Sequence, residues 1–222
     1  MGHVLRSGIS FCEVSERLLF LDVVADRYFC LGEKAERAFR ALVDRRDLDL
    51  EMCRTLAGLV ESGILVKTAD NRVPTVFHPN CTPSASLLDA PARRVGVGHL
   101  LAAMSTLAVA RLSLRFGDLH TALQRLAKAK PAPDTVPQTV PQPIYDVAAA
   151  FEWTARVVRS HDQCLSRSIA VARRLGALGL SADLVIGVRL RPFAAHCWVQ
   201  AGGSLVNDRI DTIRTYTPIF SV

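Results

Sequence analysis

The sequence predicts an α+β chain in two parts, and three observations carry that prediction. Residues 9–32 hold three short runs of β-rich composition, separated by charged turn residues. Between Glu33 and Gly179 the apolar residues change to helical spacing. Residues 182–208 then return to strand composition, so strands and helices are grouped along the chain rather than alternating. Half of the 222 residues are hydrophobic and 22% are charged, as in a folded protein with room for one large core or two modest ones.

The elements follow in order. "ISFCEV" (9–14), "LLFLDV" (18–23) and "RYFCLG" (27–32) read as strands, and "VADR" makes a tight hairpin between the last two. Ala35, Ala38, Phe39 and Leu42 give the first helix its apolar face, and Met52, Leu56, Leu59 and Val60 do so for a second over Leu50–Ser62. Gly63 stops that helix, and "ILVKT" (64–68) is extended. Three strands followed by helices make a winged-helix-like module, assigned to residues 1–82. Residues 83–222 form the second part. Its first stretch, 85–130, is helical by pattern, with Leu119, Leu123 and Leu126 on one face. Within it, Val95–Ala110 is an uncharged run of sixteen residues, short of the ~18 that suggest a membrane span, and is expected to be a buried helix. Residues 131–143 carry five prolines and read as an extended connector. The core, 144–222, opens with a helix marked by Ile144, Val147, Phe151, Ala155 and Val158. A second follows, capped by Asp162 or Ser160 and striped by Leu165, Ile169, Ala172 and Leu175; Gly179 ends it. Strands are expected at 182–190, 195–200 and 204–208, the last two joined by "AGG".

Charge narrows the functional classes. The net +6 comes from 23 Arg and 4 Lys that form no tract, so nucleic acid is not expected as a partner. A DNA-reading module would need basic residues along its recognition helix, whereas "LEMCRTLAGLVES" offers Arg54 between two glutamates. The chain has no GxxxxGK[ST] loop. Its six cysteines include no CxxC pair, and "MGHVLRSGISF" lacks the apolar core of a signal peptide. A reduced, cytoplasmic protein without membrane attachment is expected, with a cysteine free to act as nucleophile.

A nucleophilic cysteine needs a lowered thiol pKa, which the start of a helix provides. Cys164 has that position; Cys12 and Cys30 fall in strands, Cys53 in a helix and Cys81 in a loop. A histidine and a carboxylate must then come from elsewhere in the chain. On "AHCWVQ" alternation puts His196, Trp198 and Gln200 on one face, and Cys197 and Val199 on the other. A two-residue turn, Gly202-Gly203, would place Cys197 opposite Asp208. A three-residue turn, Ala201-Gly202-Gly203, would pair Gln200 with Ser204 and His196 with Asp208, with Gly203 at positive φ. The second register is expected. Cys164 would attack an amide carbonyl, His196 would carry the proton, and Asp208 would orient the imidazole. The Cys164 backbone N–H and the Gln163 side chain are candidate oxyanion donors, while Asp162 works against a thiolate. A zinc site from His161, Cys164, His196 and Cys197 is disfavoured, because His196 and Cys197 point apart on a strand; no metal or cofactor is expected.

The stretches "DQCLSRSIAVARRLG", "AHCWV" and "VND" together resemble the leader peptidase of lasso-peptide biosynthesis, the B protein. The resemblance implies a transglutaminase-like (papain-like) cysteine peptidase domain with a Cys-His-Asp triad in that order: Cys164, His196 and Asp208, at gaps of 32 and 12 residues. Cys197 departs from the small residue usual there. The N-terminal strands and helices resemble the pyrroloquinoline-quinone peptide chaperone, a leader-recognition domain. This implies that the leader of a ribosomally made bacterial precursor adds as a strand beside Arg27, Tyr28, Phe29, Cys30 and Leu31, with Arg54 in the neighbouring groove. The further partner implied is an asparagine-synthetase-like, ATP-dependent macrolactam cyclase. The same triad would also suit an acyltransferase.

Overall fold

The computed structural model describes residues 2–89, 94–131, 140–157 and 164–222. The chain divides into two compact units, Met1–His78 and Pro79–Val222, and the architecture is α+β.

In the first unit, β2 (Ile9–Val14), β3 (Arg17–Asp22) and β4 (Arg27–Cys30) form an antiparallel sheet in that order. The β2–β3 turn places both Ser15 and Glu16 at positive φ, the geometry that matches the twist of a two-residue hairpin. At the β3–β4 turn the buried Asp22 carboxylate accepts the Val24 and Ala25 N–H groups and pairs with Arg6 at 2.6 Å. Helices α1 (Glu33–Val43) and α2 (Leu50–Glu61) follow, the second capped by Asp49 accepting the Met52 N–H at 2.7 Å. Phe11, Phe20 and Phe39 meet with ring centroids 5.1–5.4 Å apart and form the centre of the core. Gly63, at φ +71°, turns the chain into β5 (Leu65–Thr68). That strand pairs with β1 (Gly2–Leu5), whose four residues are too few for the sequence pattern to mark.

In the second unit, a five-stranded sheet has the order β10-β7-β8-β9-β6. Its members are β6 (Ala85–Ser86), β7 (Asp183–Leu190), β8 (Phe193–Ala201), β9 (Ser204–Leu205) and β10 (Thr217–Ser221). Only β6 runs parallel to its neighbour, β9. Helices α3 (Val97–Phe116), α4 (Leu119–Ala129), α5 (Gln142–Val157) and α6 (Cys164–Ala177) pack together, and α6 lies against β8. A short helix, α7 (Ile210–Ile213), precedes β10.

Several expectations are corrected here. Residues 85–86 are strand and 87–89 a 3-10 turn, so the helical stretch begins at Val97. Helix α3 is not buried throughout: Ala103, Leu107 and Ala110 are buried, whereas Val97, Leu101, Met104, Val109, Leu112 and Phe116 are in solvent. The end of the proline-rich stretch belongs to α5, where Pro143 sits in the first turn and its missing N–H has no helical partner to lose. The rest of that stretch over 132–139, Val158, the Ser160 or Asp162 cap and His161 lie outside the described residues. Strand β9 is shorter than 204–208, and α7 and β10 were not anticipated.

Candidate active site

The site is assembled where α6 meets β8. Cys164 is the first described residue of α6, and Ser168 lies one turn later on the same face. The buried Ser168 hydroxyl donates to the Cys197 carbonyl at 2.8 Å and accepts from Asn207 Nδ2 at 2.9 Å. Asn207 Oδ1 in turn accepts the Val199 N–H at 2.7 Å. Three buried hydrogen bonds therefore tie the cysteine-bearing helix to the histidine-bearing strand.

The same asparagine corrects the expected register. Ala201 pairs with Ser204 and Gln200 with Leu205, so the turn is the two-residue Gly202-Gly203, with positive φ at Gly202 rather than Gly203. Continued regularly, that register would set Asp208 opposite Cys197. It does not continue. The ladder makes one more bond, Val206 N–H to Val199 carbonyl at 2.9 Å, and then the Asn207 side chain takes the next ladder position. The backbone bends over Val206–Asp208 and carries Asp208 to the histidine. The expected His196–Asp208 pairing exists, but a bend produces it rather than turn length.

His196 Nε2 hydrogen-bonds Asp208 Oδ2, and both side chains are largely buried, 18% and 14% exposed. The imidazole also hydrogen-bonds the Cys164 thiol. Asp208 is held at three points: Oδ1 accepts the Arg209 N–H at 2.8 Å, Oδ2 meets the imidazole, and its carbonyl accepts the Ser86 hydroxyl at 2.6 Å. The imidazole lies close to the rings of Trp198 and Tyr216, at centroid distances of 6.2 and 5.1 Å. Gly187 pairs with His196 across the sheet. A Cβ there would come within 2.7 Å of the Trp198 ring and 3.0 Å of Tyr216 Cβ, so a side chain would displace the walls of the histidine's slot.

The electrostatics favour a thiolate–imidazolium pair. Burial raises the Cys164 thiol pKa, but hydrogen bonds from His196 and from the Cys197 and Leu165 N–H groups outweigh it and hold the pKa below the ordinary thiol value. Burial lowers the His196 pKa, yet the hydrogen bonds to Asp208 and Cys164 dominate and raise it to about 9. Cys197 behaves oppositely. Its thiol is buried and its pKa is pushed far up by burial and by the negative Cys164, so it stays a neutral packing group. Arg167, in the first turn of α6, donates to the Phe151 carbonyl at 3.3 Å; burial lowers its pKa against the charges of Asp208 and Glu152.

Of the residues singled out in the sequence, Cys164, His196 and Asp208 are brought together, whereas Gln163 lies outside the described residues. Ser86, Ser168, Gly187, Asn207 and Tyr216 were missed. The "VND" of the hairpin was the one available signal, since an asparagine next to the acid is suited to replacing a backbone partner. In the first unit, β4 is the edge strand of the sheet β2-β3-β4. The Arg27 guanidinium lies 5.3 Å from the Phe29 ring centroid; Arg27, Cys30 and Arg54 are exposed, and Tyr28 is half-buried. Leu31 is corrected: its side chain is in the core and its carbonyl accepts Arg17 at 3.0 Å. Among the described residues no group of three or more His, Cys, Asp or Glu is placed to hold a metal ion.

Comparison with known proteins gives two likenesses. The chain is 49% identical over 45 residues to the Microcin J25-processing protein McjB of Escherichia coli, a match covering 20% of this chain and 22% of that protein. It therefore spans well under two thirds of that relative's length. No solved structure matches the chain significantly. The family model described as the transglutaminase-like superfamily matches residues 103–221, more than half of the sequence, and includes Cys164, His196 and Asp208. The chain thus belongs to the transglutaminase-like superfamily.

Proposed function

We propose that the chain is a cysteine peptidase that binds a ribosomally made lasso-peptide precursor through its leader and cuts the leader from the core. The observation that carries this reading is His196 held between the Cys164 thiol and the Asp208 carboxylate. Superfamily membership and the local likeness to a microcin-processing protein support it.

The chemistry follows from those contacts. The Cys164 thiolate attacks the carbonyl at the leader–core junction, forming a thioester as the core amine leaves with a proton from His196. Water then attacks the thioester, giving its proton to His196 and releasing the leader. Asp208 holds the imidazole and stabilises its cationic form. Backbone N–H groups at Cys164, with Gln163, stabilise the developing oxyanion. A recognition domain over residues 1–82 offers the edge strand β4 to the leader, main chain to main chain, with Arg27–Cys30 and Arg54 beside it. The freed core amine passes to an ATP-dependent macrolactam cyclase, and the work takes place in the cytoplasm.

Incubating the chain with a precursor peptide and weighing the products tests the reading. Two fragments whose masses sum to precursor plus water are expected, and Cys164→Ala should lower their rate by on the order of 10⁴-fold or more while leader binding persists. A mass gain on an added amine, without fragments, would instead assign an acyltransferase.

A further inference from the structure

The feature the peptidase chemistry leaves unused is the outer face of α3. Val97, Leu101, Met104, Val109, Leu112 and Phe116 are all exposed, Leu101 at 62% and Phe116 at 80%. The opposite face is engaged, with Ala103, Leu107 and Ala110 buried where α3 packs on α5 and α6. Over twenty residues the exposed stripe runs about 30 Å. An exposed apolar face of that length, not covered by the described residues, marks an interaction surface.

Charge indicates what covers it. Helix α3 has no acidic residue. Residues 94–131 carry six cations, Arg94, Arg111, Arg115, Arg125, Lys128 and Lys130, against the single acid Asp118. That stretch carries a net charge of +5 against +6 for the whole chain, and of its cations Lys130 is paired with Asp183. Asp118 is engaged in capping α4, accepting the Thr121 N–H at 2.7 Å and its hydroxyl at 2.9 Å. At the C-terminal end of the stripe, Phe116, Asp118, Thr121, Arg125 and Arg173 line a cavity of about 230 Å³.

We propose that α3 seats the protein on an anionic lipid surface, its apolar stripe entering the headgroup boundary and its basic flank facing lipid phosphates. The exposed apolar side chains can enter the headgroup boundary, while Arg111 and Arg115, in the last two turns of α3, reach lipid phosphates from the same helix. α3 is long and apolar enough to cross a bilayer, with only 17% of its most apolar window buried. Its packing on α5 and α6, and Arg111 and Arg115 within it, fit a helix lying on the surface rather than spanning. A second copy is a poorer occupant, since pairing this face with itself would bring two cationic segments together. The inference stands apart from the peptidase reading.

The test is co-sedimentation of the full chain with vesicles of phosphatidylcholine alone or mixed with phosphatidylglycerol. At low salt the mixed vesicles should pellet at least about tenfold more protein, an excess that shrinks as salt rises. Leu101→Glu with Phe116→Glu should reduce that binding by about tenfold or more, because two large apolar side chains no longer enter the lipid. Both side chains are exposed, so thermal unfolding and Cys164 alkylation by iodoacetamide should match the parent. Binding unaffected by the double substitution, or no excess on anionic vesicles, overturns the proposal. A lipid-free dimer dissociated by the same substitution also overturns it and assigns the face to a second copy.

Discussion

The two units are held together in different ways. The first closes locally: three consecutive strands and two helices surround an aromatic cluster, and Phe11, Phe20 and Phe39 lie within thirty positions of one another. The candidate site of the second unit is assembled over distance. Ser86 reaches Asp208 across 122 positions, Ser168 reaches Asn207 across 39, and His196 reaches Asp208 across 12. One unit depends on filled volume, which falls gradually as atoms are removed; the other depends on a few buried donors and acceptors, each costly to orphan. The candidate site therefore has far fewer points of failure than the core, and each matters more to chemistry than to folding.

The sharpest test of that contrast is Asp208→Asn. Activity by a thiolate–imidazolium pair needs His196 protonated, so the wild-type rate should fall as pH rises through about 9. Without the carboxylate that raises the imidazole pKa, the fall should begin at lower pH, toward the ordinary value of 6.5, and the maximal rate should drop by about 10²–10⁴-fold. A pH–rate profile checks both. Next in size is a paired comparison. Phe39→Ala should destabilise the first unit by about 3–5 kcal/mol and weaken leader binding. Asn207→Ala should cost the second unit about 1–3 kcal/mol, by orphaning the Val199 N–H and a Ser168 partner, and leave leader binding intact. Calorimetry with a leader-binding titration separates the two, and equal damage to leader binding would break the contrast. The smallest effect is expected for Cys197→Ala. The hydrogen bond to Cys164 comes from the Cys197 backbone, which the substitution keeps, so kcat/KM should stay within about threefold.

Periodicity made most of the fold legible. The stripes of α1, α2, α4, α5 and α6 and the runs of β2, β3 and β7 are patterns repeated often enough to read. β1, β6, α7 and β10 are too short for a period to register; they exist because longer neighbours supply their partners. The site was legible as residue types, a cysteine opening a helix and a histidine and an acid on a hairpin. Its geometry was not. Alternation assumes that a ladder continues, and here Asn207 ends it with a side chain in a backbone position. A regular ladder brings His196 and Asp208 together only across a three-residue turn; the actual turn has two, and the bend supplies the missing step. The α3 surface is not legible for a related reason, since an apolar run does not show which side of a helix a neighbour covers.

The stretch between the first unit and α3 has a consequence for anyone wishing to express the second unit alone. Cys81 offers its carbonyl to Gln200, Ser84 donates to the Gly203 carbonyl, and Ser86 holds the backbone of Asp208. This ribbon looks like a tether and behaves as a splint. A fragment starting at Pro79 keeps the splint, whereas one starting at Arg94, tidy by helix boundaries, would fold its helices around a hairpin whose acid has lost one of its anchors.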